Sequence, residues 1–213
     1  WAHFFDEKQI SPLGLLIAKE IKSFTLGSDD DYHNILLPED MPYRQLLVRA
    51  YRDGFEPWNQ VDEARFDEND QERVPWEYTS LERFYRRYKQ FNPPIQTPLI
   101  VEPTSSERVY YVPQTDFWAT VMFTNVASNQ DIYVNAASLK GGKAPLIATG
   151  NAQAVGMANG YLPWHCFQFP FGMKDDHQDW YNPKGKKPNL RLRSAGSGTS
   201  GTCQVLLEQL MKY

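Results

Sequence analysis

From Pro98 onward the chain carries no helix-period pattern. It is a succession of short β-forming runs cut by Gly, Pro and Asn: PLIVE, RVYYVP, FWATVMFTN, DIYVNAA, APLIATG, WHCFQFPF, NLRLRS and TCQVLLEQLMKY. Many short strands with turn residues between them and few helices predict an all-β sandwich or barrel. The segment before Pro98 continues the theme in NILLP, YRQLLVRAYRDGF, VDEARF and ERVPWEY. The stretch FDENDQERV reads as a hairpin turn with Asn69-Asp70 at its tip, anchored by Val61, Phe66, Val74 and Trp76. No repeat or linker is visible, and 213 residues fit one large domain.

Two helices interrupt this pattern. In SPLGLLIAKEIKSFTLG, Ser11 suits an N-cap and Pro12 the first helical position, and Gly27 suits a left-handed C-cap. Leu13, Leu16, Ile17, Ile21 and Phe24 recur at helical spacing, so the reading is an amphipathic helix over 12–26. It forms an arm, residues 1–30, ahead of a β domain at 31–213. Its apolar face is expected to dock on the chain's own core or, in a shell subunit, to meet a neighbouring subunit or a membrane surface. The second helix follows a Thr79/Glu82 capping box. Its Leu81, Phe84, Tyr85 and Tyr88 make a core-docking stripe, and Asn92-Pro93-Pro94 ends it.

Carboxylates draw attention to VDEARFDENDQERVPWEYTSLERFYRRY (61–88), which holds eight of them. Asp62, Glu63, Asp67, Glu68, Asp70 and Glu72 crowd the hairpin. Strand alternation sends neighbours to opposite faces, and tip residues are solvated, so these acids read as solubilisers rather than a catalytic pair. Neither DDD (29–31) nor DENDQE (67–72) has the spaced ligand pattern of a calcium loop. His3, His33, His165 and His177 show no metal spacing, and Cys166 and Cys203 are too few for a zinc site. Catalysis, cofactor and metal are therefore not expected. Trp58, Trp76, Trp118, Trp164 and Trp180 could form a sugar platform, but core and subunit contacts are the simpler reading. Net charge is -4, against generic nucleic-acid binding, yet unevenly spread: 20 acids and 13 bases precede Val109, and 6 acids and 9 bases follow. Two basic sets, Arg83/Arg86/Arg87 and Lys184/Lys186/Lys187, are the candidates for facing lipid headgroups or packaged nucleic acid. No apolar run approaches the roughly 20 residues that cross a bilayer.

The order of features resembles the jelly-roll coat proteins of tailless icosahedral phages with an internal membrane: a leading helix, several strands, a capped helix, then a strand-rich half ending in the hairpin NLRLRSAGSGTSGTCQVLLEQLMKY. The resemblance runs from Asn34 to Tyr213 and rests on architecture. It implies a jelly roll with one inserted helix, or alternatively a compact double jelly roll joined near 125–130. It further implies a structural, non-enzymatic capsid subunit, the main shell protein rather than a vertex one, assembled in the host cytoplasm into the virion. Its partners would be copies of itself, other capsid proteins and an internal membrane, with no small-molecule substrate. The alternative is a carbohydrate-binding β-sandwich module.

Overall fold

The computed structural model describes residues 13–27, 31–101, 108–125, 132–134, 143–148, 153–196 and 200–212. Strands are numbered β1 to β14 in chain order. One four-stranded sheet runs β1 (Gly14–Thr25), β14 (Thr202–Lys212), β3 (Tyr43–Tyr51), β12 (Cys166–Pro170). The other runs β2 (Tyr32–Leu36), β13 (Asn189–Ser194), β4 (Val61–Glu68), β5 (Arg73–Tyr78). Every neighbouring pair is antiparallel. The period-two pattern in the sequence sets the faces. Leu46, Val48 and Ala50 of β3 and Cys203, Val205 and Leu207 of β14 point inward, and Ile35, Ala64, Phe66, Leu190 and Leu192 of the second sheet join them in one core. The class is all-β, two packed sheets rather than a closed barrel among the described residues.

Outward positions of the second sheet explain why β13 lies where it does. Arg193 forks onto Asp62 at 2.9 and 2.6 Å and reaches Glu63 at 2.8 Å, while Arg191 lies 3.5 Å from Glu77. These cross-strand pairs hold β13 against β4. The expected terminal hairpin is therefore absent: β13 and β14 belong to different sheets, and the Gly/Ser-rich segment between them passes from one sheet to the other.

The N-terminal helix expected over 12–26 is corrected to a strand. Residues 14–25 are β1, which pairs with β14 from Gly14↔Lys212 to Thr25↔Thr202 and so belongs to the sheet rather than to a separate arm at 1–30. A β-bulge at Ile21, between Glu20 and Lys22, shifts the register by one residue. It turns Ile21 and Phe24 to the same side, where both pack on the core. Their spacing of three mimics a helix. Leu13, Leu15 and Leu16 stay exposed at 58%, 48% and 49%.

The second helix is α1 (Leu81–Phe91). Its N-cap is Ser80, whose hydroxyl accepts from the Arg83 N–H at 3.3 Å, one residue later than the expected Thr79 cap. Asn92 closes the C-terminus through its backbone N–H and side-chain amide, both donating to the Tyr88 carbonyl. Leu81 and Tyr85 are buried, and Phe84 and Tyr88 pack partly buried against the core.

Between β5 and β12 the chain also forms two three-stranded sheets. One orders β6 (Ile95–Val101), β11 (Gln153–Tyr161), β8 (Thr115–Asn125); the other β7 (Arg108–Tyr111), β10 (Lys143–Ala148), β9 (Ile132–Val134). The join at 125–130 imagined for a double roll falls almost wholly outside the described residues. Gly160 lets β11 approach β8: a Cβ there would stand 2.6 Å from Gln114 Cβ and 2.9 Å from the Thr115 carbonyl oxygen. Gly160→Ala is expected to cost about 1–3 kcal/mol, read as a lowered urea midpoint at unchanged slope.

Candidate functional site

Where the two sheets end on the same side, at β5 and β12, α1 lies across the gap and leaves a cleft of about 490 Å3. β5 supplies Trp76 and Tyr78, β12 supplies Gln168, Phe169 and Pro170, and Gln45 comes from β3. α1 contributes Phe84, Arg87, Tyr88 and Phe91, with its cap Asn92 beside them. The aromatic wall continues into the core. Trp76 stacks on Phe169 (4.8 Å, 16°) and on the fully buried Phe66 (5.6 Å, 20°), and Phe84 meets Tyr78 edge-on at 4.7 Å. Rings fixed on both sides in this way form a preformed surface. At the rim, Phe91 is 77% exposed. Arg87 is exposed and has no ion-pair partner among the described residues. Among the described lining residues there is no carboxylate, histidine, cysteine, serine or threonine; Tyr78 and Tyr88 carry its hydroxyls.

The opposite side of α1 bounds a second cleft of about 410 Å3, lined by Trp58, Glu82, Tyr85, Arg86, Lys89 and Asp116. Its charges are internally paired. Asp116 accepts from the Tyr85 hydroxyl at 2.7 Å and from Lys89 Nζ at 2.9 Å, and Arg86 holds Glu82 at 2.6 Å. Trp58 stacks on Tyr85 at 4.5 Å. Burial first, and the bond to Asp116 second, push the Tyr85 phenol far above its ordinary value. This is a joint fastening α1 to β8.

The acid-rich hairpin turns out differently from its expected solvated form. Its tip does carry Asn69, Asp70 and Gln71 in the left-handed region, at φ 50°, 57° and 77°. Asp67 and Glu68, however, are buried. Asp67 accepts from Asn189 Nδ2 at 3.3 Å and Glu68 lies 3.4 Å from Arg73. Arg65 of β4, Arg73 of β5 and the Asn189 amide of β13 supply the partners that make this burial tolerable. Among the described residues no three His, Cys, Asp or Glu side chains gather as a metal site.

The basic sets do not merge. Arg83, Arg86 and Arg87 lie on α1, just beyond the end of β5. The lysine turn sits by the hairpin tip at the strand's start, where Asn69 N–H donates to the Lys186 carbonyl. A six-residue strand separates the two, about 20 Å. Lys186 stands over the Tyr181 ring at 4.5 Å, and Lys187 takes a left-handed φ of 40°. Lys184 lies in the same turn. Of the residues expected on a docking helix, Leu16, Ile17, Ile21 and Phe24 are instead on β1, and Leu13 immediately precedes it. Of the five tryptophans considered as a sugar platform, Trp76 alone lines the aromatic cleft. Trp164 is 66% exposed on a turn where Leu162, Trp164 and His165 all have positive φ.

Both cysteines are free thiols pushed up to about 12 by burial. The cleft escaped sequence reading because its side chains come from four elements scattered between Gln45 and Pro170. The sole local signal is the aromatic stripe of α1. No helix among the described residues is long and apolar enough to cross a membrane. No family model, curated protein or solved structure matches the chain.

Proposed function

We propose that the chain is a jelly-roll coat subunit, a structural virion protein without catalytic role that assembles into a closed shell as its main component. The observation that carries this reading is the strand order. Taken in chain order, the eight strands of the two large sheets pair first with last, second with seventh, third with sixth and fourth with fifth: β1–β14, β2–β13, β3–β12 and β4–β5. One long hairpin wound round two sheets produces that order, and it characterises the jelly roll. Among the described residues six further strands form an insertion between the fifth and sixth strands, fewer than the eight of a second roll. Coat proteins are among the proteins built on this fold.

Two features of the surface support assembly. Among the described residues β1 is a twelve-residue strand at the edge of its sheet; Leu13 just before it and Leu15 and Leu16 at its start are exposed, and Met211 of the neighbouring strand is 39% exposed. Long apolar edges are normally blunted in monomers, and copies packing in a closed array would cover this one. Sedimentation velocity across a concentration series tests the reading. The chain is expected to form discrete large species that Leu13→Asp/Leu16→Asp reduces to a folded monomer. A strict monomer at every concentration, or assembly unaffected by that pair, contradicts it.

A further inference from the structure

We propose that the aromatic cleft between β5, α1 and β12 binds an acidic saccharide, a sugar bearing a carboxylate. This goes beyond the coat-subunit reading and stands whether or not the chain assembles. The volume, about 490 Å3, lies within the roughly 300–1,000 Å3 of ligand pockets and accommodates a short oligosaccharide. Trp76, Tyr78, Phe84 and Phe169 are interlocked rings that cannot collapse into the space. With Phe91, 77% exposed at the rim, the partly exposed rings of Trp76, Tyr78 and Phe84 present rigid apolar surface against which the C–H face of a pyranose ring can pack.

The polar members match the rest of a sugar. Gln45, Gln168 and Asn92 each carry a carbonyl acceptor and an amide donor, the combination that serves a hydroxyl in both of its roles. Asn92 spends one amide donor on the Tyr88 carbonyl, which fixes its orientation. Charge selects among sugars. Arg87 is the single charged residue of the lining, and no carboxylate among the described residues neutralises it. A guanidinium forks onto one carboxylate by two parallel hydrogen bonds. One fork without further cations suits a monoanionic carboxylate better than a phosphate, which ordinarily draws several donors.

Calorimetric titration of the full chain with oligogalacturonate and with sialyllactose, against neutral cello-oligosaccharide and lactose, tests the assignment. At least one acidic probe is expected to bind saturably, about 10-fold or more tighter than its neutral counterpart. Arg87→Gln is expected to weaken it roughly 10- to 100-fold, the loss associated with a charge-assisted bond. Phe91→Ala, at an exposed rim position, should weaken acidic and neutral probes alike. Both substitutions lie at exposed positions, and unchanged circular dichroism confirms their folds. No saturable binding of either acid, equal binding of the neutral sugars, indifference to Arg87→Gln, or equally tight binding of inorganic phosphate alone would overturn the proposal.

Discussion

Phe66→Ala is expected to remove about 3–5 kcal/mol of stability, a large share of the roughly 5–15 kcal/mol that holds a domain together. Phe66 has no exposed surface and sits midway along β4, between Leu190 of β13 and Trp76 of β5. Its ring touches Trp76, Phe171 at 4.9 Å and Tyr181 at 5.2 Å, so truncation strands three aromatic neighbours at once. Those neighbours are held by further rings and cannot close the void. The same stack forms the back of the aromatic cleft, and saccharide binding should therefore weaken along with stability. Urea denaturation measures the first effect. Phe91→Ala, at the exposed rim, should stay within about 0.5 kcal/mol of the parent. A loss below 1 kcal/mol at Phe66 contradicts the packing described.

Acid should destabilise the fold through His165. The residue is 2% exposed, neither ring nitrogen has a hydrogen-bond partner among the described residues, and the ring stands edge-on to Tyr51 at 5.2 Å. Burial first, and the nearby Arg49 guanidinium second, pull its pKa down to about 4, with Asp53 opposing them. The fold thus favours the neutral ring. An unfolded chain takes up the proton near pH 6.5 and the folded one only near 4, so stability is complete above 6.5 and falls as pH drops through that window. The contribution lost by pH 4 is about 3 kcal/mol. His165→Asn keeps a residue that tolerates the left-handed φ of 60° and should flatten the slope between pH 6.5 and 4. An identical slope in parent and variant contradicts the neutral buried ring. The strained turn carries Trp164 as well, so acid should also change tryptophan emission.

What was legible in the sequence follows from periodicity. β13 alternates polar and apolar residues from Asn189 to Arg193, β3 and β14 alternate buried and less buried positions over 46–51 and 202–209, and α1 has a cap, a stripe and a proline stop. Both signals are local and survive tertiary packing. β1 was illegible for a local reason too. Its bulge at Ile21 converts a spacing of two into one of three, and Leu13, Leu16 and Ile17 complete a false helical stripe. β11 was hidden because Gly156, Ala158 and Gly160 are poor strand formers that β6 and β8 nevertheless accept, their small size permitting close approach.

The placement of β13 and β14 in separate sheets depends on partners more than a hundred residues away, Asp62 and Glu63 for Arg193 among them. No turn signal in the Gly/Ser segment distinguishes a hairpin from a crossing. Burial of Asp67 and Glu68 is hidden in the same way, since alternation assigns a face but does not reveal what covers it. The cleft is the extreme case. Its aromatic and amide side chains converge through sheet topology, whereas the hairpin carboxylates Asp62, Glu63, Asp67, Glu68 and Glu77 are spent on arginines.

Electron microscopy of the purified chain in negative stain tests the coat-subunit account most directly. The account predicts closed shells, or ring-shaped capsomers of uniform size, that vanish in the Leu13→Asp/Leu16→Asp variant. Lone particles of about 25 kDa at concentrations well above assembly conditions, with no larger ordered species, would contradict it.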